Sequence, residues 1–296
     1  MAKKLKLGII GISEGNGHPY SWSAIFNGYN EEYMIQCPFE SIPEYLSKEK
    51  YPENFLIEEA EVTHVWTQDQ EISKHIAAST YIKKVCLNFE DMIGEIDALL
   101  LARDDAENHF KFAHKFLTAG IPVYIDKPFA LTIASAKKLW DSQIYKDQIF
   151  TCSALQFAKE LDKEQINKGK IGEIKMIWAT TPKSWEKYAV HIIEPVLNLL
   201  SDRGKIKNIQ PIKDGASVEW ESGISCVFQT TTNLVSPIWI RLQGEKDVQD
   251  LYFKDSFTAF KMALKRFVDV VNKKRPNLSR KNTEEMVQIL EKGKSA

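Results

Sequence analysis

Leu5 to Ile12 is an apolar run containing Gly8 and Gly11, and it gives way at Ser13 to a polar, glycine-rich stretch ending at Gly17. That pattern predicts a strand followed by a tight loop. Pro19 then favours a first helical turn, and Trp22, Ile25 and Phe26 repeat at helical spacing until Gly28 and Asn30 stop it. The chain therefore opens as strand, glycine loop and helix.

Residues 30 to 60 hold no clean period and contain Pro38, Pro43 and Pro52, which reads as an irregular insertion with one short helix near Glu44 to Lys48. Regularity returns with a strand over Val62 to Trp66, a helix through Ile72, Ile76 and Ala77, and a further strand over Lys84 to Leu87. Asp97 to Ala102 is apolar between flanking acids, the pattern of a central parallel strand buried on both faces. Asp105 to Thr118 sets Phe110, Ala113, Phe116 and Leu117 on one helical stripe, Gly120 stops it, and Pro122 to Ile125 forms the next strand. Thr132 caps a helix carrying Ile133, Ala136, Leu139 and Trp140, and Ile149 to Ala154 closes the sheet.

Beyond about Phe157 the rhythm changes. Apolar segments over Glu173 to Thr180, Ser217 to Trp220, Gly223 to Thr231 and Ile238 to Leu242 follow one another without helices between most of them, which implies a mostly antiparallel sheet. One amphipathic helix interrupts them, with Val190, Ile193, Leu197 and Leu200 on its buried stripe, and two helices end the chain. The expected organisation is an α/β dinucleotide-binding domain over residues 1–154 and an α+β domain over 155–296.

Composition narrows the function classes. In 296 residues, 39 basic and 40 acidic side chains nearly cancel, so no net field favours nucleic acid or an anionic membrane, and a small-molecule partner is expected. The four cysteines lie far apart with no C-x-x-C pair, so neither a disulfide framework nor a metal site is expected. Charges interrupt every hydrophobic run before it reaches membrane-spanning length, and a cytoplasmic location is expected.

Three constellations carry chemistry. Gly11, Gly15 and Gly17 lie between the first strand and the Pro19 helix, where backbone amides and a helix N-terminus cradle a pyrophosphate; a plain strand-to-helix turn has the same glycines. Ser13 stands where the second glycine of G-x-G-x-x-G would fall. Lys127, in Asp126-Lys127-Pro128, follows a parallel strand at the sheet end where ligands bind, so its ammonium is either a substrate and proton-handling group or a solvated turn lysine. Tyr188, His191 and Glu194 are spaced three apart, a proton-handling set or a hydrogen-bonded structural group.

The run from Glu95 through His109, Gly120 and Asp126-Lys127-Pro128 to Thr132 resembles the glucose-fructose oxidoreductase, inositol dehydrogenase and rhizopine catabolism family (Gfo/Idh/MocA), and the tail from Phe260 through Asn282 to Gly293 resembles that family's closing helices. The resemblance implies a Rossmann domain with a doubly wound parallel sheet and a second domain with an open-faced sheet that often mediates homodimer or homotetramer formation. It also implies hydride transfer between nicotinamide and a polyhydroxylated sugar, nucleotide sugar or cyclitol. It carries the catalytic lysine onto Lys127 and the proton-handling histidine onto His191. Asp126 replaces the family's Glu, Lys187 stands where an aspartate is frequent, and Ser184 and Trp185 replace glycines, which makes Tyr188 a candidate acid and Trp185 and Glu194 substrate-side candidates.

For the cofactor, NAD or NADP, the expected contacts are Gly11, Ser13, Gly15, Gly17, His18, Thr67, Asp69, Arg103, Asp104 and Lys127. With Val62 to Trp66 as the second strand, Thr67 takes the usual position of the ribose-binding acid and Asp69 follows, a lean towards NAD. The alternative is a nucleotide- or sugar-binding protein that keeps the fold without turnover, motivated by Ser13, Lys187 and the missing ribose acid.

Overall fold

The computed structural model describes residues 4–294. The first part of the chain forms β1 (Leu5–Ile10), α1 (His18–Asn27), α2 (Glu31–Met34), α3 (Ser41–Leu46), β2 (Ala60–Trp66), α4 (Gln70–Thr80), β3 (Lys84–Val85) and β4 (Ala98–Leu101). There follow α5 (His109–Thr118), β5 (Val123–Ile125), α6 (Ile133–Asp141), β6 (Ile149–Thr151), α7 (Lys168–Ile171), β7 (Ile174–Thr181), α8 (Trp185–Tyr188) and α9 (Val190–Leu199). The remainder is β8 (Ile206–Ile212), β9 (Gly215–Trp220), β10 (Ser225–Thr230), β11 (Trp239–Gly244), β12 (Val248–Tyr252), α10 (Ser256–Val271) and α11 (Arg280–Gly293).

The chain divides into two compact units that interleave along the sequence. The first holds the residues up to Asp126, Lys137–Thr151 and Phe260–Leu278; the second holds Lys127–Ala136, Cys152–Ala259 and the residues from Ser279 onward. The strand pattern places a single division after residue 154, whereas contacts assign residues 127–136 to the second unit and 260–278 to the first.

The first unit is a six-stranded sheet in the order β3-β2-β1-β4-β5-β6, and every pairing in it is parallel. This is the doubly wound Rossmann arrangement, in which the strand order reverses between β1 and β4. All four residues of β4 are fully buried, as the acid-flanked apolar run predicted. The sheet's core is bound by aromatic pairs: Trp22 stacks on Tyr124 at 4.8 Å, Tyr124 meets Phe150 edge-on at 4.8 Å, and Phe267 of α10 lies 5.6 Å from both Tyr124 and Phe150.

Residues 30–60 are more regular than their proline content predicts, with two short helices, and α3 starts at Ser41 rather than at Glu44. This insertion packs on the glycine loop: a Cβ at Gly17 would come within 2.5 Å of Ile42 and 2.6 Å of Phe39. The third and sixth strands are shorter than expected, ending at Val85 and Thr151.

The second unit is a six-stranded sheet in the order β12-β11-β7-β10-β9-β8, antiparallel except where β10 pairs with β7. Its two edge strands, β8 and β12, lack the apolar run that marks the others; β8 contains Pro211, which an edge tolerates because one side of its ladder is unpaired. One face of the sheet is covered by α9, whose Val190, Ile192, Ile193 and Val196 are fully buried. The other face leaves Met176, Trp178, Val248 and Tyr252 exposed.

A buried ion pair closes the second unit's core. Arg203 is bidentate to Glu285, through Nε at 2.9 Å and Nη2 at 2.8 Å, its Nη1 donates to the Leu197 and Leu200 carbonyls, and Trp220 Nε1 donates to Glu285 at 2.6 Å. Removing one partner leaves an uncompensated buried charge. Arg203→Ala is expected to lower the unfolding free energy by about 3–5 kcal/mol, read from urea denaturation; a loss below about 1 kcal/mol would show that Glu285 finds other partners.

Candidate active site

The loops that follow successive parallel strands of the first unit are joined by side-chain hydrogen bonds. After β1, the Ser13 hydroxyl donates to Asp104 Oδ1 at 2.7 Å and accepts the Asp104 backbone N–H at 3.0 Å, so the residue in the second glycine's place ties the glycine loop to the loop after β4. Gln68, after β2, accepts the Ile12 N–H at 3.1 Å and donates to the Ile12 carbonyl at 2.8 Å. Asn16 donates to Asp126 Oδ2 at 2.8 Å and caps α1 by accepting the His18 N–H at 2.8 Å.

His18 Nδ1 lies 2.6 Å from the same Asp126 oxygen, and its ring stacks on Trp22 at 4.9 Å. A carboxylate only accepts, so this contact places a proton on Nδ1. Asp126 thus organises the glycine loop through Asn16 and His18. Gly15 takes a left-handed φ of 75° and has open space where a Cβ would stand. A glycine loop of this kind with open space at Gly15, before a helix whose first amide is side-chain capped, fits a dinucleotide pyrophosphate.

Several expected cofactor contacts are committed elsewhere. Arg103 is clamped bidentately by Asp105 at 2.9 and 2.6 Å, donates to Gln68, and lies over the Phe112 ring at 4.7 Å. Burial pushes the Asp105 carboxyl up, but the Arg103 and Asn108 hydrogen bonds outweigh it and hold the group below its ordinary value. Thr67 is fully buried, its hydroxyl bonded to the Asp69 carbonyl and Ser73; Asp69 caps α4 by accepting the Glu71 and Ile72 amides. Arg103, Thr67 and Asp69 thus brace the scaffold, because each lies where a strand must turn into a helix with its polar groups satisfied.

In the second unit, Lys127, Tyr188 and His191 come together. Lys127 Nζ stands 5.4 Å from the centroid of the Tyr188 ring, and the His191 ring meets Tyr188 edge-on at 5.1 Å. Tyr188 ends α8 and His191 is the second residue of α9, so the expected single helix is broken at Ala189. Pro195 inside α9 lacks the N–H that would bond the His191 carbonyl one turn earlier.

Behind His191 stands Ser153, which the residue pattern did not single out, although it lies two residues past the last parallel strand. Its hydroxyl accepts the Leu155 N–H at 3.2 Å and lies 2.8 Å from His191 Nδ1. That hydroxyl can donate to Nδ1 when the imidazole proton is on Nε2 and accept when it is on Nδ1, so it serves both tautomers. Glu194 faces the same segment: its Oε2 accepts the Ser153 N–H at 2.5 Å and Gln156 Nε2 at 3.2 Å. Trp185, at the start of α8, is buried with its indole N–H donated to the Leu290 carbonyl of α11 at 2.9 Å, so its polar group is spent on packing the two helices.

Residues 39–153 match the family model GFO_IDH_MocA, described as "Oxidoreductase family, NAD-binding Rossmann fold". The match spans less than half of the chain, and the glycine loop lies before the matched stretch. No curated protein matches the chain. Among solved structures it is similar to a putative myo-inositol dehydrogenase from Sinorhizobium meliloti 1021, with TM-score 0.71, 14% identity and coverage of 97% of this chain and 95% of that one. It is also similar to GenD2 from gentamicin A biosynthesis, in complex with NAD, with TM-score 0.73, 11% identity and coverage of 99% and 93%. A third is biliverdin reductase from Synechocystis sp. PCC 6803, in complex with biliverdin and NADP+, with TM-score 0.68, 13% identity and coverage of 98% of each chain. At these identities the likeness is one of fold.

The Glu194 carboxyl is pushed up to about 8 by burial, against the lowering effect of the Ser153 N–H. A group that is neutral in the folded state and ionised in the unfolded state stabilises fully below its unfolded value near 4.5 and loses that contribution as pH rises through about 8. Glu194→Gln is therefore expected to flatten the fall in stability across that window, each pKa unit being worth about 1.4 kcal/mol. Urea titrations from pH 5 to 9 read this; parallel curves for the two proteins would refute the buried neutral acid.

Proposed function

We propose that the protein is an NAD(P)-dependent oxidoreductase that moves hydride between nicotinamide and a hydroxyl or keto carbon of a polyhydroxylated small molecule, a sugar, nucleotide sugar or cyclitol. The observation that carries the reading is the meeting of Lys127, Tyr188 and His191. An alcohol losing hydride from carbon must also lose a proton from oxygen, and the cluster offers the His191 imidazole to take it, with the Lys127 ammonium and the Tyr188 phenol as hydrogen-bond donors to the oxygen.

Gly11, Gly15 and Gly17 with the start of α1 would hold the pyrophosphate, assisted by the bonds of Ser13 and Asn16 that fix the loop. The bound nicotinamide supplies or takes the hydride. His191 Nε2 takes the hydroxyl proton in oxidation and returns it in reduction, while Nδ1 keeps its own proton, donated to the Ser153 hydroxyl. Lys127 hydrogen-bonds the reacting oxygen and disfavours its departure from the site as charge develops. Glu194, bonded to Ser153 and Gln156, supports this arrangement from behind and does not touch the reacting carbon.

The reading of a binding protein without turnover draws on one feature, the Ser13 to Asp104 bond in the place of the second glycine. Calorimetry on cofactor-free protein separates the two. Micromolar-range binding of NAD(H) or NADP(H) is expected, with turnover in a polyol and sugar screen falling about 100-fold or more in Lys127→Ala and in His191→Ala. Absence of binding by either cofactor, or near wild-type rates in both variants, would defeat the proposal.

A homodimer or homotetramer is proposed through the open face of the second sheet, where Trp178 and Tyr252 are 45% and 44% exposed. Sedimentation velocity of Trp178→Glu is expected to show dissociation to monomers; an unchanged species would place the contact elsewhere.

A further inference from the structure

NAD and NADP differ only in the 2′-phosphate on the adenosine ribose, and in a Rossmann domain that ribose lies at the carboxyl end of the second strand. The fold does not choose between them: among the similar structures, GenD2 is in complex with NAD and the biliverdin reductase with NADP+. The choice rests on what the chain places at the end of β2.

A 2′-phosphate is held there by a cation or by open amides in the first turn of the next helix. Here both are already used. Asp69 Oδ1 accepts the Glu71 N–H at 2.8 Å and the Ile72 N–H at 3.3 Å, so α4 carries its own anion on its first turn. The Thr67 hydroxyl is turned into the same helix and donates to the Asp69 carbonyl at 2.6 Å.

Residues 67–71 contain no lysine or arginine, and the first on α4, Lys74, pairs with Glu71 at 2.7 Å. The cation that reaches this end is Arg103, from the loop after β4, whose Nη1 donates to Gln68 at 3.0 Å. Its Nε and Nη2 are held by the two oxygens of Asp105, and the side chain is buried. Turning that guanidinium towards a second anion would break a bidentate pair and leave Asp105 without its partner. Asp69 itself is exposed, and its Oδ2 accepts no hydrogen bond among the described residues. A carboxylate oxygen only accepts, so a ribose hydroxyl satisfies it whereas an ionised phosphate is repelled.

We propose that the protein takes NAD and refuses NADP, with Asp69 excluding the 2′-phosphate from the first turn of α4 and the Asp105 clamp withholding Arg103 from it. The proposal rests on the oxidoreductase reading for the presence of a nicotinamide cofactor; the discrimination itself stands on Asp69, Arg103 and Asp105.

The test is calorimetric titration of NADH and of NADPH into the full-length protein, at low and high salt, in wild type, Asp69→Ser and Asp105→Asn. Serine caps a helix about as well as aspartate, so Asp69→Ser removes the charge and keeps the cap, while Asp105→Asn loosens the clamp from a different loop. NADH is expected to bind about tenfold or more tightly than NADPH. The gap should shrink with added salt in wild type and narrow in each variant, chiefly through tighter NADPH binding; narrowing in one variant alone assigns the discrimination to that residue. NADPH binding as tightly as NADH in wild type, or a gap that neither variant narrows, overturns the inference and leaves the oxidoreductase reading intact, because a cofactor still binds. Failure of both cofactors to bind defeats that reading and the inference with it.

Discussion

Burial of β4 on both faces is the constraint from which the rest follows. Ala98–Leu101 cannot reach water on either side, so its backbone must be satisfied by neighbouring strands and both faces of the sheet must be covered. Parallel pairing meets both demands, because each strand then needs a crossover that returns to the starting edge and lays a helix on a face. Every strand consequently ends on the same side of the sheet, and the residues that follow β1, β2, β4 and β5 are delivered to one edge regardless of their separation in sequence. Ser13 and Asp104, or Asn16 and Asp126, are neighbours for this reason alone.

At that edge the polar groups are satisfied largely by one another. The glycine loop is held by Gln68 on one strand end, Asp104 on a second and Asp126 on a third, which leaves it little freedom before any ligand arrives. Pre-ordering of this kind lowers the entropy lost on binding. The second unit follows a similar economy: Ser153, Glu194, Gln156 and Asn198 form a connected series of hydrogen bonds behind His191. A buried network of this sort fixes the orientation of its outermost member more firmly than any single bond would.

Similarity to solved oxidoreductases extends over nearly the whole chain at 11–14% identity. What such distant chains share is the alternation of buried strand and amphipathic helix, which hydrophobic burial enforces and many sequences satisfy. The side chains at the strand ends are under no such requirement. Chemistry is therefore argued from the site of this chain and not from its fold.

The sequence by itself determined the βαβ rhythm, the central strand at 97–102, the change to antiparallel strands beyond residue 157, and the presence of Lys127 at a strand end, because burial periodicity and glycine or proline punctuation are local signals. It left β8 and β12 invisible, since edge strands bury only one side and carry no apolar run, and it overstated the irregularity of residues 30–60, which pack on the glycine loop. Tertiary structure alone decided the partners. That Arg103 serves Asp105, that Trp185 serves Leu290 and that Ser153 stands behind His191 depend on distances set by the whole fold, and no pattern of neighbouring residues along a chain encodes a distance of that kind.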